Sequence, residues 1–140
     1  MDYEKLRVDY SGRSLLEKNV AEDPFTQFST WFKEVEDCQI KLANGMTLST
    51  VSEDGQPSSR VVLLKEISTQ GLVFVSHFGS QKGQELAQNP KASALFWWPA
   101  LHRQVRFQGE VKRAEDVLSD KYFKHRPRES NLSALSLIHI

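Results

Sequence analysis

Apolar residues recur along this chain at two different spacings, and the switch between them marks its architecture. Between Asp23 and Val35 the spacing is three and four: Phe25, Phe28, Trp31, Phe32 and Val35 form one stripe. Asp23 stands there as N-cap and Pro24 at the first helical position. The stripe reads as a helix face packed on a sheet, not as a set of rings that stack on a cofactor. From Met46 the period becomes two. It predicts strands over Met46–Ser52, Ser58–Lys65, Leu72–His77, Lys91–Trp98 and His102–Arg113, with turns at Glu53–Pro57, Ser68–Gly71 and Pro99-Ala100. Ser80 is placed to cap a short helix that runs to about Gln88 before Asn89-Pro90, and Ala114–His125 carries a further helical pattern. Consecutive antiparallel strands with one inserted helix predict a mainly β, α+β fold, a curled sheet or small barrel flanked by helices. Residues 1–22 are polar and weakly periodic and read as an N-terminal arm with one helical turn; residues 23–140 read as a single domain. The apolar ending from Ser133 to Ile140 adds no further strand in this reading. Five strands then leave an open edge, to be covered by a partner chain unless the chain stops short of its natural end.

Charge and cysteine content narrow the function classes. Lys+Arg 18 against Asp+Glu 18 leaves a formal net charge of +0 across 140 residues, so a nucleic-acid or anionic-membrane partner has no global electrostatic support. The apolar runs are strand-length, too short to span a bilayer. Met1-Asp2-Tyr3-Glu4-Lys5 lacks the apolar core of a signal peptide. With Cys38 as the one cysteine, these features point to the cytoplasm. Cys38 has no histidine or acid at ligand spacing and is expected to be a buried structural thiol.

Three basic fragments carry the candidate chemistry. Arg60 and Lys65 bracket the apolar run Val61-Val62-Leu63-Leu64, and two cations at a buried strand call for an anion. Strict alternation puts residues five apart on opposite faces, so a shared pocket needs a bulge or strong twist. Ser76 ends a strand, and Lys82 with Gly83 lies in the first turn of the next helix, where outward N–H groups attract phosphate. A capping motif with a surface lysine accounts for that pair equally well. Gln104 and Arg106 share a strand face suited to the edge of a heterocycle, although a solvated polar face is the blander reading. Tyr122, Arg126 and Ser130 follow at four-residue intervals as a second phosphate-binding set, interrupted by Pro127. His77, His102, His125 and His139 show neither metal spacing nor a nucleophile partner, so no metal is expected.

In order, these fragments resemble the pyridoxamine/pyridoxine 5′-phosphate oxidase family. The carrying residues are Asp23-Pro24 with Trp31-Phe32, Asp54 through Lys65, Ser80 through Leu86, and Asn89-Pro90. Phe96-Trp97-Trp98, Arg103 through Arg106 with Gly109, Tyr122-Phe123 and Arg126-Pro127 complete them. The resemblance implies an FMN-binding split β-barrel, antiparallel and Greek-key-like, working as a homodimer with FMN where two subunits meet. It implies that Arg60, Val61, Val62 and Leu63 line FMN, that Val75, Ser76, Gln81 and Lys82 lie at its phosphate end, and that Gln104 bonds the isoalloxazine. Lys65, Tyr122, Arg126 and Ser130 would hold the substrate phosphate, and Arg7 and Tyr10 belong to an arm that folds over it. Two departures stand out: Gln81 replaces a usual arginine, and Val75 a usual aromatic. The family's C-terminal segment has no counterpart before Ile140.

The activity so implied is oxidation of pyridoxine or pyridoxamine 5′-phosphate to pyridoxal 5′-phosphate, with O2 as acceptor and H2O2 as product. No protein nucleophile is needed, since the cofactor carries the redox step. The alternatives are a non-catalytic FMN- or pyridoxal-phosphate-binding module, another split-barrel flavin reductase, and a purely structural β-domain.

Overall fold

A computed structural model describes residues 15–114 and 137–139, with Lys5 and Asp9. A 3-10 turn at Glu17–Asn19 leads into helix α1, Pro24–Asp37. The Asp23 carboxylate caps α1, accepting from the Thr26 N–H and hydroxyl, both at 2.7 Å. Strands β1 (Gly45–Val51), β2 (Pro57–Ser68), β3 (Gly71–Val75), β4 (Lys91–Trp98), β5 (Arg103–Glu110), β6 (Lys112–Arg113) and β7 (Leu137–His139) follow, with helix α2 (Gln81–Gln88) between β3 and β4. The described strands form one antiparallel sheet in the order β5-β4-β1-β2-β3-β7-β6.

Strict alternation gives the sheet a dry face and an open one. Met46, Leu48 and Thr50 of β1 point inward with Ala94, Phe96 and Trp98 of β4. Phe28 of α1 seals that side, with ring centroids 5.0 Å from Phe96, 5.1 Å from Phe107 and 5.8 Å from Trp98. The Trp98 indole donates to the Ala43 carbonyl at 3.0 Å, so its one polar atom is satisfied. On the opposite face Val61 is 70% and Trp97 46% exposed, with Leu63 beside them.

Four details depart from the sequence reading. The last long predicted strand is two, β5 and β6, because Val111 turns inward and its N–H donates to the Pro90 carbonyl at 2.6 Å. The C-terminal stretch, read as adding no strand, supplies β7, which pairs with both β3 and β6 and covers the edge expected to stay open. Cys38 is exposed rather than buried, because it caps the end of α1 beyond the apolar stripe. Finally, β2 runs past Lys65: its register shifts between Leu64 and Glu66, leaving Lys65 as the extra residue of a bulge. Of the helix predicted over Ala114–His125, all but Ala114 lies outside the described residues.

Candidate functional site

The basic cluster forms where α2 meets the β1–β2 hairpin. Alternation along β2 turns Ser58, Arg60, Val62 and Leu64 to the inner face and Ser59, Val61 and Leu63 to the outer one. Arg60 therefore points under the sheet, toward α2. Its guanidinium donates to the Leu48 carbonyl at 3.3 Å, the Thr50 hydroxyl at 2.5 Å, the Ser58 hydroxyl at 2.6 Å and Glu85 at 3.3 Å.

Glu85 is the anion of this cluster and is buried, at 5% exposure. It accepts from Thr50, from Ser58 at 2.8 and 2.9 Å, and from the Gln81 amide at 2.8 Å. Those bonds, Thr50 foremost, outweigh burial and with Arg60 hold its carboxyl at about 2. Lys82 sits one turn back, and burial, reinforced by Arg60, lowers its pKa.

The start of α2 is shaped by Gly83. A Cβ there would lie 2.4 Å from the Phe78 carbonyl oxygen and 2.7 Å from that of His77, so the 77–79 loop folds tightly over the first turn. Ser80 caps the helix: its hydroxyl accepts from the Gly83 N–H at 3.3 Å and from Lys82 Nζ at 3.2 Å, and donates to the His77 carbonyl at 2.6 Å. Ser76, buried just past the end of β3, has its hydroxyl 3.4 Å from that of Ser80. Two cations, two hydroxyls and a helix N-terminus are gathered here, the chemistry that a phosphate-sized dianion requires; Arg60 brings its charge and Nε–H, its four terminal N–H groups being bonded within the protein.

The rest of the predicted set divides. Val75, half-buried, ends β3 beside Ser76, and Gln81 faces Glu85. Val61 and Leu63 join the outer face, where cross-strand registers link Val61 through Thr47 and Leu95 to Arg106, and Trp97 to Gln104. Gln104 also lines a cavity of about 810 Å³ with Trp31, Glu34 and His102, which neither Arg60 nor Lys82 borders. The structure thus gathers Arg60, Ser76, Gln81 and Lys82 and leaves Gln104 on another surface. Arg103, from the third basic fragment, is taken up by Glu34 at 2.9 Å and lies 4.6 Å from the Trp31 ring, tying β5 to α1. Lys65 is exposed at the bulge. Arg7, Tyr10, Tyr122, Arg126 and Ser130 lie outside the described residues.

One further feature joins the two surfaces. Pairing of β2 with β3 begins at Leu64, so from Pro57 to Leu63 β2 has β1 on one side and no described strand on the other. An open strand edge offers backbone N–H and C=O groups to a ligand or a partner chain. Sequence reasoning missed Thr50, Ser58 and Glu85. Their signal was an acid beside Leu86 on the inward face of α2, opposite an arginine on the inward face of β2.

Comparison with known proteins agrees with this architecture. The family described as pyridoxamine 5′-phosphate oxidase matches residues 32–137. A pyridoxine/pyridoxamine 5′-phosphate oxidase of Nostoc sp. is 47% identical over 129 residues, 92% of this chain and 60% of the relative. The enzyme of that name from Actinobacillus succinogenes is 45% identical over 134 residues, 96% of this chain and 64% of the relative. The chain therefore spans about three fifths of the length of these curated relatives. Among solved structures, PhzG from Burkholderia lata, in complex with tetrahydrophenazine-1-carboxylic acid, superposes with a TM-score of 0.78 at 27% identity, covering 84% of this chain and 59% of that one. A pyridoxamine 5′-phosphate oxidase-related, FMN-binding protein of Nostoc punctiforme gives a TM-score of 0.64 at 17% identity, covering 80% and 63%, a likeness of fold alone.

Proposed function

This chain belongs to the pyridoxamine 5′-phosphate oxidase family, and from that premise we propose that it binds FMN and oxidises pyridoxine or pyridoxamine 5′-phosphate to pyridoxal 5′-phosphate. The observation that carries the proposal is the Arg60–Lys82–Ser76–Ser80 cluster at the start of α2, a donor set matched to a phosphate dianion. Beside it, the open edge of β2 at Val61–Leu63 supplies backbone groups for the polar rim of a flavin. FMN held there would supply the chemistry of hydride acceptance from the substrate's C4′ carbon and reoxidation by O2 to H2O2, water then releasing ammonia where the substrate is the amine.

The chain's own part is binding and orientation. Lys82 and Arg60 hold the cofactor phosphate, Ser76 adds a hydroxyl, and Gly83 lets the loop close on the helix start. Lys65, with Tyr122, Arg126 and Ser130, takes the substrate phosphate; Arg7 and Tyr10 cover it. Gln104 shares the outer face with Val61 and Leu63, on the side of the flavin ring rather than of its phosphate, and the exposed apolar surface around Val61 and Trp97 is where a second copy completes a homodimer. The partners are thus the B6 phosphate ester, O2 and a second copy, and the place of action is the cytoplasm.

The test is the visible spectrum of the chain reconstituted with FMN, before and after anaerobic pyridoxine 5′-phosphate. A protein-bound flavin band that bleaches is expected. Absence of any bound flavin overturns the reading. A bound flavin that does not bleach leaves a cofactor-binding module without turnover.

A further inference from the structure

We propose that Glu85 is the positioning residue of the cofactor-phosphate site, aiming the Arg60 guanidinium through a hydrogen-bonded frame shared with Thr50 and Ser58. The inference rests on the reading of that cluster as the FMN phosphate site and assigns the site's specificity for a phosphorylated flavin to a residue that does not touch the phosphate.

The frame draws on three elements. Leu48 and Thr50 come from β1, Ser58 from β2 itself and Glu85 from α2, and together they bond both terminal nitrogens of Arg60. Thr50 is the relay: its hydroxyl accepts from Arg60 and donates to Glu85. Ser58 repeats the arrangement on the other nitrogen, accepting from Arg60 and donating to Glu85. Two hydroxyls, each with one donor and a matching acceptor, fix the plane of the guanidinium. The Gln81 amide completes the shell by donating to Oε1 of Glu85.

Glu85 acts on the anion in opposed ways. Its negative charge subtracts from the attraction that Arg60 and Lys82 exert. Its hydrogen bonds hold a long, flexible side chain in one rotamer, so that less freedom is lost when the phosphate arrives. The carboxylate also offsets the repulsion of Arg60 on Lys82, whose charged form is disfavoured first by burial and then by that repulsion. Holding Arg60 in place outweighs the lost attraction, because the frame occupies its four terminal N–H groups and so fixes where the guanidinium charge and the remaining Nε–H stand against the anion.

Riboflavin, which is FMN without the phosphate, separates this role from a merely structural one. The experiment measures FMN and riboflavin dissociation constants by flavin fluorescence quenching for the wild type, Glu85→Gln, Arg60→Ala and the double variant. Glu85→Gln is expected to weaken FMN about tenfold, the worth of one charge-assisted hydrogen bond, with riboflavin changed less than about twofold. In the Arg60→Ala background Glu85→Gln should change the preference no further, since there is no guanidinium left to aim. Thr50→Val, which removes the relay hydroxyl at nearly constant volume, should lower the preference in the same direction and serves if Glu85→Gln does not fold. An unchanged or increased FMN preference, or effects of the two sites that add, overturns the inference alone. A wild type that binds FMN no better than riboflavin overturns the phosphate-site reading, and the inference with it.

Discussion

At the scale of single residues, this molecule places charges under a sheet and surrounds each with partners. Glu85 has a folded-state pKa of about 2 against an ordinary 4.5, so it favours folding while ionised. That contribution is complete above pH 4.5 and is lost as the pH falls from there toward 2. Urea titrations of wild type and Glu85→Gln should accordingly differ most at neutral pH and converge in acid; a gap that widens in acid would contradict the assignment. Lys82 belongs to the same cluster but faces the prospective anion. Lys82→Ala should reduce retention of FMN on gel filtration about tenfold or more, with riboflavin affinity nearly unchanged. Arg60 stood out in the sequence as a cation at the end of an apolar run, and Lys82 as a cation in the first turn of a capped helix. Glu85 did not, because an acid in a short helix resembles any solvated charge until the helix is seen to pack on β1.

At the scale of elements, α2 and α1 do different work. The first turn of α2 is built against the 77–79 loop, and there is no room for a side chain at Gly83. Gly83→Ala should cost about 1–3 kcal/mol by displacing backbone, and a thermal melt together with FMN titration should show both stability and affinity reduced. Helix α1 supplies the aromatic lid of the core. Phe28, 2% exposed and in ring contact with Phe32, Phe96, Trp98 and Phe107, should lose about 3–5 kcal/mol of stability on replacement by alanine, measured by chemical denaturation. The Ser80 cap with Asn89-Pro90 predicted α2, and the apolar period predicted α1, β1 and β4 closely, since that period is the packing itself. It erred where pairing set the ends: Val111 breaks the last long strand through its bond to Pro90, and β7 forms because β3 and β6 each present an edge.

For the whole molecule, the outer face of the sheet carries the apolar surface that the core does not use. Val61, Leu63 and Trp97 are too apolar and too exposed for a solvated surface, and Gln104 lies among them rather than beside Arg60. If two copies meet there, Val61→Asp should shift the chain from dimer to monomer in sedimentation equilibrium and weaken FMN binding in parallel. A dimer that survives the substitution would place the interface elsewhere.

What the sequence determined unaided was local and periodic: a capped amphipathic helix, alternating strands, a glycine at a crowded helix start and basic residues at the ends of apolar runs. Those features depend on neighbours within a few positions, and the chain states them directly. Tertiary structure alone decided which charges meet. Arg60 and Glu85 are 25 positions apart and pair only because the β1–β2 hairpin and α2 are brought to the same side of the sheet. The bulge at Lys65, the edge-covering β7 and the separation of Gln104 from the phosphate cluster likewise follow from strand pairing, which no local pattern encodes.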